Sequence, residues 1–368
     1  MNLDEMLNLL SRGKSKQAAK ARQVAVWRNQ PVDRLPIIFG VPVPELEGGI
    51  HFDMEACFHD PAKMLHEHLY EMIAVAMSPA DGVPSVRANT GTGTLPTIFG
   101  LSQMIFPDKM PWLKERLTKQ QISRLEPEDF TDVANRGIMP QVLDYQRYFH
   151  GKLNGTAAVY LSDTQGPFDI AHLVRGDDLL TDLFDDPPFV HHLMELTTTV
   201  YIAATKLMKN NLGEPFDGGH HSNGLVMANG GVRICEDTPT LLSREQIDQF
   251  VAPYTERALS VFGGGWIHYC GRNDHLFFGL LDQPDVRGFN FGNPETNDLN
   301  MIMGELARRG KVYYGGWNRL EEENLEDYFN RIVTPLEGAK QGLIFCPDLR
   351  PEELKQPEHV IETWDQIQ

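Results

Sequence analysis

The chain has 368 residues, with 33 lysines and arginines against 51 aspartates and glutamates, a net charge of −18. An acidic chain with no basic run grips neither a nucleic-acid backbone nor an anionic membrane surface, so neither is expected as a partner. No apolar stretch approaches the ~20 residues that span a bilayer. The N-terminus lacks the basic, then apolar, then small-residue order of a signal peptide. Four cysteines are too few for a disulfide scaffold in a chain of this size. These features predict a reduced, cytoplasmic protein.

Eight short apolar runs read as strands. They are Leu35–Gly40, Gly82–Arg87, Thr156–Ser162, Gly224–Ala228 with a continuation toward Cys235, Trp266–Cys270, Gly288–Phe291, Lys311–Gly315 and Gly342–Cys346. Helix signals fill the intervals. Ser243-Arg-Glu-Gln246 is a capping box that opens a helix running toward Phe262, and Gly263-Gly264-Gly265 stops it. Pro294 suits a first helical position, and Gly310 suits the end of that helix. A last helix runs from about Leu320 to Gly342 with a bend at Pro335. Strands alternating with helices, in a chain that no linker divides, predict a (β/α)8 TIM barrel over residues 31–368. Residues 1–30 read as an N-terminal helical extension. An open doubly wound sheet is the alternative, but no Gly-rich phosphate turn follows the first strand.

In a barrel the active site lies at the carboxyl ends of the strands, so polar residues there are the candidates. His268 and Cys270 are two apart at the end of one strand and face the same way. Cys346 ends the last strand. A closed barrel brings the three side chains to one end, and a His/Cys/Cys set suits zinc with a fourth position open. Glu236 and Asp237 follow the fourth strand, where one completes the metal shell or acts as general base. Cys235 is a further ligand candidate or a buried thiol. Asn89, in Asn89-Thr-Gly-Thr-Gly93, and the pair Asp163 and Gln165 lie just past strands and read as cofactor-binding positions. His220-His221, after two glycines, reads as a surface loop.

Several segments resemble the uroporphyrinogen decarboxylase superfamily. They are Pro31-Val-Asp-Arg-Leu-Pro-Ile37, Asp163-Thr-Gln-Gly-Pro-Phe168, Cys235-Glu-Asp-Thr-Pro-Thr-Leu-Leu-Ser243 with Phe250-Val-Ala-Pro-Tyr254, and the His268-x-Cys270 strand. The resemblance implies a (β/α)8 fold and one of two chemistries. The first is zinc-dependent methyl transfer between a methylcobamide, carried by a separate corrinoid protein, and a thiol or tetrahydrofolate. That branch carries zinc on H-x-C and a single later cysteine, which His268, Cys270 and Cys346 match. No D-x-H-x-x-G corrinoid-binding motif occurs in this chain. The second chemistry is metal-free decarboxylation, a lyase reaction. Here it falls to Asp81 or Asp163 with arginines such as Arg87 and Arg233. It fits less well, because Phe39–Gly49, where the decarboxylases carry substrate-gripping arginines, holds two glutamates and no arginine.

Overall fold

The computed structural model describes residues 1–368. Its strands are short and mostly parallel. β1 (Ser85–Arg87) pairs with β4 (Ala158–Tyr160), Val86 opposite Val159. β7 (Val232–Cys235), β8 (Gly265–Tyr269), β9 (Val286–Phe291), β10 (Val312–Gly315) and β11 (Leu343–Phe345) form a five-stranded parallel sheet in that order. Two antiparallel hairpins stand apart: β2 (Gln103–Met104) with β3 (Trp112–Leu113), and β5 (Gly218–His221) with β6 (Leu225–Ala228). Single parallel bridges join Ile37 to Phe345 at one edge of the five-stranded sheet and Gln165 to Cys235 at the other. The fold is therefore mixed α/β with a parallel sheet. No helix is long and apolar enough to cross a membrane.

The expected strand at Gly224–Ala228 exists but does not join the parallel sheet. Asn223 and Gly224 adopt left-handed conformations, with φ +57° and +77°, and turn the chain back after His221; Asn229, with φ +58°, leads it on toward β7. Leu225–Ala228 then pairs with Gly218–His221, and the parallel position passes to Val232–Cys235. Gly231 makes this path possible, because a Cβ there would lie 1.7 Å from the Phe216 carbonyl oxygen. Pro294 opens a short 3-10 turn, and the α-helix starts after the Asp298 cap, at Leu299. The Ser243 capping box forms as expected. The helix expected from about Leu320 to Gly342 is shorter, Leu325–Val333, and it ends at Pro335 in a 3-10 turn instead of bending, with two further helices, Pro351–Leu354 and Pro357–Ile367, after it.

The N-terminal extension is two helices, Leu3–Leu10 and Gln17–Trp27. The second seals the amino ends of the strands. Trp27 is buried against Met227, Trp266 and Val312, and its indole N–H donates to the Val226 carbonyl at 2.8 Å. Gln23 donates to the Asp81 and Gly224 carbonyls and accepts from the Val226 amide. A buried tryptophan in such a seam is worth about 3–5 kcal/mol against alanine. With the amino ends closed, polar chemistry has space at the carboxyl ends.

Candidate active site

Register builds the site. Cys235 lies opposite His268 across β7 and β8, and His268 lies opposite Asn290 across β8 and β9. Side chains two apart on a strand share a face, so Cys235, His268 and Asn290 form one row above Arg233 and Trp266. The Asn290 amide NH2 donates to the Tyr314 carbonyl at 2.6 Å, which turns its oxygen toward His268 Nδ1. Nδ1 therefore carries the proton and Nε2 carries the lone pair. A Cβ on Gly315 would come within 2.4 Å of the Asn290 amide nitrogen, so that glycine leaves the amide its room. Burial, helped by the Arg233 charge, lowers the His268 pKa to about 4. The imidazole is thus neutral at neutral pH.

The thiol of Cys270 lies 3.9 Å from His268 Nε2. It sits in a notch over Gly292, where a Cβ would approach the sulfur to 2.4 Å. The ligand atoms of Cys235, Asp237 and His268 all lie within 4.8 Å of one another. Asp237 is held from two sides. Its amide and that of Thr238 donate to the buried Asp169 carboxylate, each at 2.8 Å, and its own Oδ1 accepts from the Cys270 amide at 2.6 Å. Burial raises the Asp169 pKa to about 7 against those two backbone donors. Glu236 points the other way, as the strand's alternation requires. It is fully buried and accepts from the Phe168 and Asp169 amides at the start of helix Pro167–Arg175. Burial and the nearby Asp169 push its pKa well above the ordinary carboxylate range.

His268 opens on a cavity of about 330 Å³ that Cys346 also lines. Cys346 lies beside Tyr314, and burial pushes its pKa up to about 12. The floor is charged. Asp163 lies 3.2 Å from an Arg87 nitrogen and 3.7 Å from one of Arg233, and it accepts from Gln165 at 2.6 Å. Burial alone would raise the Asp163 pKa, but Arg87 and Arg233 hold it below the ordinary value. Asp163 is the one carboxylate within ion-pair distance of both guanidiniums, and Asp237 beside His268 adds to the field at Arg233. Arg233 also stacks over Trp266, 5.9 Å from the ring centre.

The structure thus gathers His268, Cys346 and Asp163 around one cavity. Cys270 and Asp237 stand beside His268, and Gln165 stands beneath Asp163. It sets Glu236 behind the strand and Asn89 in a neighbouring, largely apolar cavity of about 230 Å³ with Met64 and Met110. His221, expected on a surface loop, is half-buried on β5 and lines the site, packed edge-on to Trp266 with ring centres 5.0 Å apart. His221, Asn290 and Tyr314 are site residues with no local motif. Only the cross-strand register brings them in.

No protein-family model matches the chain. No curated protein matches it at the sequence level. The structure is similar to that of a methyltransferase from Methanosarcina mazei, with a TM-score of 0.63 and 13% sequence identity, over 95% of this chain and 98% of the other. The two share a fold across nearly their full lengths.

Proposed function

We propose that this chain is a methyltransferase in which a zinc ion at His268 activates an acceptor thiol for attack on a methylated corrinoid carried by a separate protein. Tetrahydrofolate is the alternative acceptor. The fold of this reading is a closed (β/α)8 barrel. The bridges at Ile37 and Gln165 support it, with the Asp81 amide donating to the Ile37 carbonyl at 2.7 Å and the β1–β4 pair filling the interval. The site then lies at the carboxyl ends of the strands, where barrels place their chemistry.

The observation that carries the reading is the convergence of a neutral imidazole nitrogen with thiols and a carboxylate at those strand ends. Zinc takes such donors; we assign His268 and Cys270 to hold it, with Cys346, which lines the same cavity but is not among the donors already gathered within 4.8 Å, as the third ligand. A bound zinc ion supplies Lewis acidity, which lets a coordinated thiol lose its proton at neutral pH. The protein's own residues do the rest. Asn290 fixes the His268 tautomer, so that Nε2 and not Nδ1 faces the donors. Gly292 leaves room for the Cys270 sulfur. Arg87 and Arg233 bind an acidic group on the acceptor and orient its other end toward His268. Trp266 and Tyr314 wall the cavity and exclude water.

The test is zinc per chain in the parent and in Cys270→Ser, followed by transfer from methylcobalamin to small acidic thiols. The expected result is about one zinc per parent chain, little in the variant, and transfer only by the parent. One observation also favours a metal-free decarboxylase: Arg87, Asp163 and Arg233 meet on the cavity floor, as a carboxylated substrate requires. Asp81 has no part in that site, because it is buried among Arg22, Arg34 and the Ile37 amide away from the cavity. Folded protein that takes up no zinc when zinc is offered would move the decarboxylase reading to first place.

A further inference from the structure

Resting on the reading that Arg87 and Arg233 hold an acidic group, we infer that the molecule they hold is an aromatic acid. Its acidic group lies on the two arginines, its ring fills the neighbouring cavity of about 230 Å³ that Asn89 lines, and its reacting end points the other way, to His268.

The two cavities share a wall. Arg87 lines the charged cavity and Asn89 the apolar one, and an Arg87 nitrogen donates to the Asn89 side-chain oxygen at 3.4 Å. The side-chain nitrogen of Asn89 lies 3.9 Å from the Met110 sulfur, and its backbone amide donates to the Met64 sulfur at 3.2 Å. One residue therefore touches an arginine on one side and two methionines on the other. The contacts run in order from the apolar cavity through Asn89, Arg87, Asp163 and Arg233 to Trp266, two residues before His268. An acidic group on the arginines thus lies between the ring and the reacting end.

The lining of the second cavity selects a ring. Phe52, Phe58, Met54, Met64 and Met110 supply most of it, and Met54 and Met110 are left exposed. It offers a ligand no free charge. Glu67, its one carboxylate, is spent on the Phe52 amide at 2.8 Å and on His51 at 3.1 Å. Burial, helped by the Arg87 charge, keeps His68 neutral, with its pKa lowered to about 4. Burial likewise pushes the Cys57 thiol up to about 11, so it stays protonated. An apolar cavity of roughly 150 Å³ holds a benzene ring, so this one has room for a substituted ring. Thioether sulfurs make favourable contacts with aromatic rings, and three methionines favour an aromatic group over a saturated one.

Isothermal titration of the chain without added metal reads the two cavities alone, with propionate, 3-phenylpropionate and 3-cyclohexylpropionate as probes. Burial of the ring should make 3-phenylpropionate bind about ten- to a hundredfold more tightly than propionate. It should also bind more tightly than its cyclohexyl analogue, which has the same acid and more apolar surface but no aromatic face for the sulfurs. Met110→Glu places a charge at an exposed position, where folding tolerates it, and should bring the affinity ratio of phenylpropionate to propionate near one. A parent that binds these two acids equally, a cyclohexyl acid that binds as tightly as the aromatic one, or a ratio unmoved by Met110→Glu would overturn the inference and leave the arginine reading standing. A folded chain that binds none of the acids overturns both, whatever its zinc content.

Discussion

The protein buries two aspartates between pairs of arginines, and the two clusters have opposite character. At the amino ends of the strands, Asp81 is 1% exposed and pairs with Arg22 at 2.9 Å and Arg34 at 3.1 Å. Arg22 also binds Asp33, and Arg34 reaches Asp365, so three carboxylates answer two guanidiniums. The second Asp81 oxygen accepts from the Ile37 amide. Both guanidiniums and the buried carboxylate there have all their charge answered by partners. At the carboxyl ends Asp163 is the only carboxylate within ion-pair distance of Arg87 and Arg233, beside an open cavity. The residue types are the same, and the count of partners decides the role. A matched cluster holds elements together, whereas an unmatched one is ready for a ligand.

The largest effect is expected at Asp81. Removing one partner of a buried ionic cluster costs about 3–5 kcal/mol, because the charges left behind stay buried and unpaired. Asp81→Ala should therefore lower the urea unfolding free energy by that order and leave zinc content per folded chain unchanged. Loss of zinc at full stability would break the distinction between the clusters. Next come the cavity arginines. A hydrogen bond to a charged group is worth about 1.5–3 kcal/mol, so Arg233→Met should weaken binding of an acidic thiol roughly 10–100-fold. It should do so while sparing a neutral thiol of the same length. Equal losses for both thiols would mean that Arg233 only shapes the cavity.

The His268 tautomer offers a control that touches neither aspartate. Asn290→Ala removes the partner of Nδ1, and loss of such an outer contact typically costs about 10–100-fold in metal affinity. A zinc competition titration with a chelator reads it. If the reading is correct, zinc binding weakens while binding of simple carboxylates at Arg87 and Arg233 is unaffected.

How much of this was legible in the sequence follows from the range over which each feature is encoded. The H-x-C spacing is local, and a strand's alternation alone puts His268 and Cys270 on one face. The Ser243 capping box is equally local and forms as written. The hairpin of β5 and β6 was hidden for two reasons. Gly218-Gly219 carries no strand propensity, and the turn depends on two left-handed residues, Asn223 and Gly224. His221 was hidden with it. Asn290 and the grouping of Arg87 with Arg233 depend on which strands are neighbours and in what register, and no single segment encodes that. Glu236 and Asp237 looked equivalent in the sequence. They were separated by the presence of a helix start behind the strand, where two amides wait for the Glu236 carboxylate.

The smallest expected effect compares the clusters by pH. Arg87 and Arg233 overcome burial to hold Asp163 below its ordinary pKa of 3.8. A depressed carboxylate stabilises the fold where it is ionised in both states. That contribution is complete above the unfolded pKa of about 3.9 and is lost as pH falls through the lower folded value. In that window the unfolded chain takes up its proton first, so acid favours unfolding. Asp163→Asn has no proton to take up at this position. It should be less stable than the parent from pH 7 to 5, and the gap should narrow below about pH 4. Urea midpoints at several pH values measure it, at about 1.4 kcal/mol for each unit by which the pKa is depressed. A gap that stays constant into acid would mean that Asp163 is not held ionised by its arginines. The two arginines would then be freer for a ligand than the ion pairs suggest, and the contrast with Asp81 sharper still.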